Sequence, residues 1–191
     1  MGKTERDGDE APIERISGVV PRSPLRDLSL PVLHRSFAVA TYGPMTISLW
    51  DGAVRRDRVE QVILAAREQC RRHPKGGGFT ILVERNTGLP EIEVRGYVSN
   101  ALAEMSRYIH AAAVVIEGEG FLAATARSVV NLVFLAARSP IPVRVFGTVE
   151  EAARWQAREL RVQPPIDTPE LARALREVRR VHAAHRAETT R

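Results

Sequence analysis

The chain has 191 residues, of which 44% are hydrophobic and 5% aromatic, and its formal net charge is +5. Its length suits one domain with tails, and its apolar fraction is sufficient for an ordinary core. Because basic residues are interleaved with acids and no run of about 18 apolar residues occurs, neither a nucleic-acid-binding surface nor a membrane-spanning helix is expected. The single cysteine, Cys70, and the absence of an apolar N-terminal segment predict a cytoplasmic protein without an internal disulfide.

Residues 1–33 are predicted to form a disordered N-terminal arm. Charged residues alternate here with Pro21, Pro24 and Pro31, and large apolar side chains are few. Such a segment buries too little surface to offset the entropy lost on ordering. A few apolar residues between positions 19 and 30 leave docking on the domain or on a partner as the alternative.

A strand hairpin and a helix are predicted next. Residues 36–42 and 45–50 form the strands, and a Gly-Pro turn joins them. Apolar residues then recur at spacings of three and four from 59 to 70, which predicts an amphipathic helix. Cys70 lies on its apolar side, which favours a core role over that of a nucleophile. Gly76-Gly77-Gly78 is interpreted as a linker, because a phosphate-binding loop follows a strand and opens a helix.

Residues 79–83 are predicted to be a short central strand, followed by a long polar connection over 84–97. Connections of this length are often functional. Ser99 precedes the apolar face of a further helix and is predicted to be its N-cap. A phosphate is favoured at a helix N-terminus, so Ser99 is also the possible phosphoacceptor, with a plain N-cap as the alternative.

A right-handed βαβ unit is predicted from Ala111 to Phe146, with strands at 111–117 and 143–146. The helix predicted between them, residues 121–138, is apolar around most of its circumference. Such a helix is either deeply buried or covered by a second surface. The predicted interaction surface comprises Arg127, Asn131, Phe134 and Leu135.

The C-terminal part is predicted to hold two further helices. Thr148 and Glu151 form a capping box for the first, which carries Ala152 and Trp155 on one face. A Pro-Pro pair at 164–165 then interrupts the chain. Residues 161–191 are predicted to form an accessory helix, begun by Thr168-Pro169-Glu170, and a tail.

One segment resembles the last strand and helix of the STAS-like, or SpoIIAA-like, family: Pro142-Val-Arg144-Val-Phe146-Gly-Thr-Val-Glu-Glu151-Ala152-Ala-Arg-Trp155. In that family an Arg-x-Phe strand leads into a helix with Glu-Ala and Trp. With the order of elements, the resemblance predicts one α/β domain over 34–160, with a mixed four- to five-stranded sheet and helices mainly on one face. It implies action through protein contacts, without catalytic residues. The Asp-Ser-Ser-Gly-like turn of the phosphorylated members is absent.

Other chemical candidates are isolated. His182 and His185 lie three apart on a predicted helix, but no carboxylate or thiol completes a metal site with them. Glu117 and Glu119 follow a strand, where ligands often bind in α/β sheets, although acids beside a glycine more often form a turn. Because no nucleophile–base pair can be assembled, we predict no enzymatic activity, no cofactor and no metal.

The predicted function is a non-enzymatic protein–protein interaction or regulatory module of bacterial type, whose partner is another protein or a second copy. The alternative is a binder of a small apolar or lipid-like ligand in a pocket between helices and sheet. A closed cavity with apolar walls would favour the ligand, and a flat exposed apolar patch would favour the partner.

Overall fold

The computed structural model describes residues 25–88, 90, 92–118, 141–160, 162 and 164–189. In this part of the chain, six strands and four helices form an α/β structure. The strands are β1 Leu28–His34, β2 Phe37–Tyr42, β3 Met45–Trp50, β4 Gly77–Val83, β5 Ile109–Ile116 and β6 Val143–Phe146. The helices are α1 Arg56–Arg72, α2 Ile92–Met105, α3 Val149–Glu159 and α4 Thr168–Thr189.

The strands form one mixed sheet in the order β1-β2-β3-β4-β5-β6. The first three pair antiparallel, whereas β3 to β6 pair parallel. The predicted hairpin and the parallel neighbours β5 and β6 are confirmed, and β4 lies between β3 and β5 as predicted. The sheet has six strands, however, so the predicted number of four to five is wrong.

The additional strand is β1, which includes residues 28–33 of the predicted disordered arm. Its apolar side chains Leu30 and Leu33 are buried, so the predicted boundary at residue 33 falls too late. Pro31 argued against a strand at the sequence level, because proline is excluded from central strands. Here it lies in an edge strand, where the register with β2 shifts between Ser29 and Val32, and a bulge at an edge tolerates proline. Residues 1–24 lie outside the described residues.

Helices cover both faces of the sheet, which corrects the prediction that they lie mainly on one. Alternate residues of the strands point to opposite sides. Phe37 and Val39 of β2 pack with α1 and α2, whereas Ala38 and Ala40 pack with α3 and α4. We call these two sides the α1/α2 face and the α3/α4 face.

The helix predicted to be accessory, α4, is part of the core. Its apolar stripe, which includes Leu171, Leu175 and Val178, is fully buried on the α3/α4 face. Tyr42 of β2 donates a hydrogen bond to Glu170 at 3.1 Å, which ties the start of the helix to the sheet. Without α4, the apolar residues of β1 to β3 on this face would be exposed to water.

Two glycines of the predicted linker lie inside β4 instead, where the chain needs a close approach. A Cβ at Gly77 would lie 2.1 Å from the carbonyl oxygen of Pro44, a distance that real Cβ atoms do not reach. A Cβ at Gly78 would lie 2.7 Å from the sulfur of Met45. These glycines therefore allow β4 to enter the sheet beside the turn that joins β2 and β3.

Helix α2 begins at Ile92, several residues before its predicted start. Gly96 lies within it, and glycine costs a helix interior about 1 kcal/mol relative to alanine, so this stretch has the composition of a loop. The other predicted caps are close to the observed ones. Thr148 accepts a hydrogen bond from the backbone N–H of Glu151, as predicted, and Asp167 instead of Thr168 caps α4.

Candidate functional site

The parallel strands supply one wall of an apolar cavity on the α1/α2 face. Along β4, Phe79, Ile81 and Val83 are separated by one residue and therefore share this face. The same alternation on β5 directs Val114 and Ile116 to it. These side chains present a continuous apolar surface to the two helices.

Helices α1 and α2 and the loop after β4 supply the other walls. Val59, Val62 and Ile63 line the cavity from α1, and Val98 and Ala101 line it from α2. Val98 and Ala101 are the smaller of the α2 side chains in the lining, and they leave part of the space above β4 and β5 unfilled. A cavity of about 230 Å³ results.

The polar side chains of the cavity wall form hydrogen bonds within the wall. Ser48 accepts a hydrogen bond from the indole Nε1 of Trp50 at 3.3 Å, and Thr87 donates one to the backbone oxygen of Trp50 at 2.6 Å. No charged side chain belongs to the described lining. A molecule held here would be recognised by its shape and apolar surface, since no unpaired polar side chain in the described lining addresses it.

The carboxyl ends of the parallel strands carry acids that are already paired. Asp51, Glu84 and Glu117 each follow directly after a strand, at the edge where α/β proteins often bind ligands. Arg179 of α4 contacts Glu84 at 2.7 Å and Glu117 at 2.5 Å, and Arg186 pairs with Asp51. These acids therefore join α4 to the sheet. Glu119, the second acid of the predicted turn, lies outside the described residues.

The two histidines of α4 have different surroundings. His182 is 2% exposed, and its Nε2 lies 3.1 Å from the backbone oxygen of His34, to which it donates when that nitrogen carries the proton. Burial lowers the pKa of His182, although the nearby Asp51 opposes the shift. This engagement of Nε2 with a carbonyl group gives no support to a metal site shared with His185.

Cys70 is half-buried on α1 and packs against the cluster of apolar residues of the α1/α2 face. Burial raises the pKa of its thiol. A thiol with a raised pKa holds little thiolate at neutral pH, which agrees with a core residue and not with a nucleophile.

Ser99 lies near the middle of α2 and not at its N-terminus, so the predicted N-cap is wrong. A phosphate on Ser99 would gain nothing from the helix N-terminus, and phosphorylation stays a prediction without that support. The residues of the predicted interaction surface, Arg127, Asn131, Phe134 and Leu135, lie outside the described residues, as does the whole predicted helix 121–138.

The sequence reasoning missed the residues that form the cavity wall. A signal was available in β5, where residues 111–116 are all apolar, because such strands are covered on both faces. It also missed the buried amide of Gln156, which accepts from Thr80 at 2.8 Å and donates to the backbone oxygen of Phe79 at 2.9 Å. A lone glutamine in an amphipathic helix does not by itself predict buried hydrogen bonds to a sheet.

No family model, no curated protein and no solved structure matches this chain. Among the helices described, none has the length and apolar character needed to cross a membrane.

Proposed function

We propose that this protein is a non-enzymatic binding module that holds a small apolar or lipid-like ligand between α1, α2 and the sheet. The observation that carries the proposal is the cavity of about 230 Å³, whose walls are apolar and whose polar side chains, Ser48 and Thr87, are already engaged. A cavity without unpaired polar side chains in its described wall favours a ligand that has no polar groups at its buried end, because such groups would lose their hydrogen bonds to water.

The size of the cavity restricts the ligand. An apolar cavity of about 150 Å³ accepts benzene, and pockets for drug-sized molecules begin at about 300 Å³. A volume of about 230 Å³ lies between these limits. It suits a single substituted ring or a medium-length acyl chain, and it is too small for a lipid with two long chains.

The surface of the described residues favours a ligand over an apolar docking partner. Leu64 of α1, which is 56% exposed, is the one large hydrophobic side chain among them that is strongly exposed. A protein-binding site of the usual apolar kind needs a contiguous patch, which a single leucine does not supply. Interaction through helix 121–138 stays a prediction.

Membership in the STAS-like, or SpoIIAA-like, family forms part of the proposal. Its support is the Arg-x-Phe strand and the helix with Trp155, which correspond to β6 and α3. The parallel strands β3 to β6, which follow one another in both sequence and space, agree with a repeated βα unit. A role in regulation would follow if occupation of the cavity changed the stability of the fold around it.

The two tryptophans allow a direct test by NMR, because Trp50 lines the cavity and Trp155 lies on the other face. Decanoic acid and its methyl ester serve as apolar probes for a chain labelled with ¹⁵N. We expect a saturable shift of the Trp50 indole N–H signal while the Trp155 signal stays in place. Absence of a saturable shift with both probes would contradict the proposal.

A matched pair of variants on α2 locates the binding site. Ala101 lines the cavity, whereas Ala103 is exposed on the same helix. Ala101→Leu should fill part of the cavity and weaken binding of the probes about tenfold or more, and Ala103→Leu should leave binding unchanged. Equal effects of the two variants would place the probes elsewhere.

A further inference from the structure

A second groove, of about 430 Å³, lies between β6 and α3 on the α3/α4 face. Arg144 of β6 and Arg154 and Arg158 of α3 line it, and all three side chains belong to exposed residues. Glu151 is the one acid among the described residues of its lining. Three guanidinium groups and one carboxylate leave a net charge of two positive units in the groove.

These arginines differ from those of the neighbouring helix α4. There, each of five arginines pairs with an acid at 4.0 Å or less: Arg173, Arg176, Arg179, Arg180 and Arg186. In the part of the chain that the structure describes, no carboxylate pairs with Arg144, Arg154 or Arg158. The arginines of α4 are therefore paired with acids, whereas the three arginines of the groove have no acidic partner among the described residues.

Local contacts hold the groove arginines in place and leave their terminal nitrogens available. The guanidinium of Arg144 stacks over the indole ring of Trp155, 5.6 Å from its centroid. Arg154 and Arg158 each donate from Nε to the backbone oxygen one turn earlier in α3, at 3.4 and 3.2 Å. Because a guanidinium has five N–H donors, each of these two side chains retains four for a ligand.

Two further residues that carry donor groups line the groove. Trp155 is 4% exposed, and its buried indole Nε1 has no hydrogen-bond acceptor among the described residues. Thr168, which carries a hydroxyl group, also lines the groove from the first turn of α4. The groove thus combines donors with uncompensated positive charge, which is the arrangement that binds oxyanions.

We propose that this groove binds the dianionic phosphate group of a small phosphate monoester. Arginine forks match phosphate oxygens in geometry, and two positive units balance a dianion. The groove lies on the other side of the sheet from the apolar cavity, so this inference is independent of the proposed function. A phosphate carried by a lipid headgroup and one carried by a soluble metabolite share this chemistry.

The test again uses the two indole N–H signals of the ¹⁵N-labelled chain. The variant Trp50→Phe lacks one of these signals and so identifies both. Glycerol 3-phosphate is the probe and inorganic phosphate the competitor. We expect a saturable shift of the Trp155 signal that needs a higher concentration of glycerol 3-phosphate when inorganic phosphate is present, while the Trp50 signal stays in place. A shift that does not saturate, or that affects both indoles alike, would overturn the proposal.

Charge-removing variants identify the residues involved. Arg154→Gln and Arg158→Gln should each weaken binding of glycerol 3-phosphate about tenfold, the loss expected for one charge-assisted hydrogen-bonded pair. The matched control is Arg173→Gln, which removes an exposed but paired arginine of α4. The unchanged Trp50 signal of each variant confirms its fold. Equal weakening by the control would show binding to the overall positive charge and overturn the assignment to the groove.

Vesicles distinguish the two sources of phosphate. Vesicles of phosphatidylcholine with and without phosphatidic acid are sedimented with the wild-type protein and with Arg154→Gln. Co-sedimentation that requires both phosphatidic acid and Arg154 assigns the groove to a lipid headgroup. Saturable binding of glycerol 3-phosphate without such co-sedimentation assigns it to a soluble ligand.

Discussion

The two faces of the sheet share the same six strands, yet they are covered in different ways. On the α3/α4 face, Leu175 and Val178 are fully buried, Gln156 bonds to Thr80, and Arg179 joins two strand ends to α4. On the α1/α2 face, small side chains such as Ala101 leave a cavity of about 230 Å³. The α3/α4 face is therefore the more closely packed of the two in the described residues, and the α1/α2 face carries the cavity of the proposed binding site. Three of the four predictions below test this contrast, and one concerns association.

The largest expected effect compares the same truncation on the two faces. Leu175→Ala removes a fully buried side chain from the α3/α4 face and should cost about 3–5 kcal/mol of unfolding free energy. Leu102→Ala, at the edge of the cavity, should cost about 2 kcal/mol, because its side chain already borders empty space. Urea unfolding followed by circular dichroism measures both values. Equal losses would contradict the contrast between the faces.

The next prediction concerns association through helix 121–138, which the sequence alone supports. Burial of a phenylalanine or leucine side chain is worth about 1.5–3 kcal/mol, so Phe134→Ser with Leu135→Ser should weaken association more than tenfold. Sedimentation velocity of the wild type and the double variant measures this change. A wild type that stays monomeric would argue against self-association, and loss of the fold in the variant would identify both residues as core.

Removal of the cation that joins the strand ends to α4 should have an intermediate effect. Arg179→Met leaves Glu84 and Glu117 without their shared partner and should cost about 1–3 kcal/mol of unfolding free energy. The range extends to low values because both glutamates are partly exposed to solvent. Arg173→Met, which removes an exposed pair with Glu170, should change the stability by less than about 0.5 kcal/mol. Chemical denaturation compares the two. A similar small loss in both would show that the strand ends do not depend on α4.

The smallest predicted effect is a dependence of stability on pH through His182. Because burial lowers the pKa of this imidazole in the folded state, the unfolded chain binds the proton more readily below the ordinary value of 6.5. The contribution of His182 to stability is therefore complete above pH 6.5 and declines as the pH falls toward its lowered pKa. Asp51, His185 and Arg186 also act on this group, so the measurement compares unfolding curves of the wild type and His182→Gln across this range. Parallel pH profiles would contradict the prediction.

Local patterns predicted most elements of the fold, because each depends on residues close in sequence. The hairpin, α1 and the capped start of α3 follow from alternation, from helical spacing and from the capping box at Thr148. The strand β1 could not be recognised in this way, since Pro31 is acceptable there only because the strand lies at an edge with a bulge. The position of α4 also depends on tertiary packing, as its apolar stripe does not specify which surface it covers.

The candidate sites were harder to predict from sequence than the fold, because they depend more strongly on tertiary packing. The volume of a cavity is the difference between the volume enclosed by the backbone and the volume of the side chains. A cavity therefore cannot be predicted from any single residue of its wall. The arginine groove contains a motif that the sequence did reveal, from Arg144 to Trp155, but only as a family resemblance. Which arginines lack an acidic partner becomes visible only when α3 and α4 lie side by side.

The sequential order of the strands has a consequence for synthesis of the chain. Each strand pairs with one made just before it, so the sheet can grow in step with the ribosome. The helix that closes the α3/α4 face over β1 to β3 comes after all six strands in the order of the described elements. A nascent chain stalled before Thr168 should therefore carry an exposed apolar sheet face, and limited proteolysis of stalled complexes should show protection of β1 to β3 only after α4 has emerged.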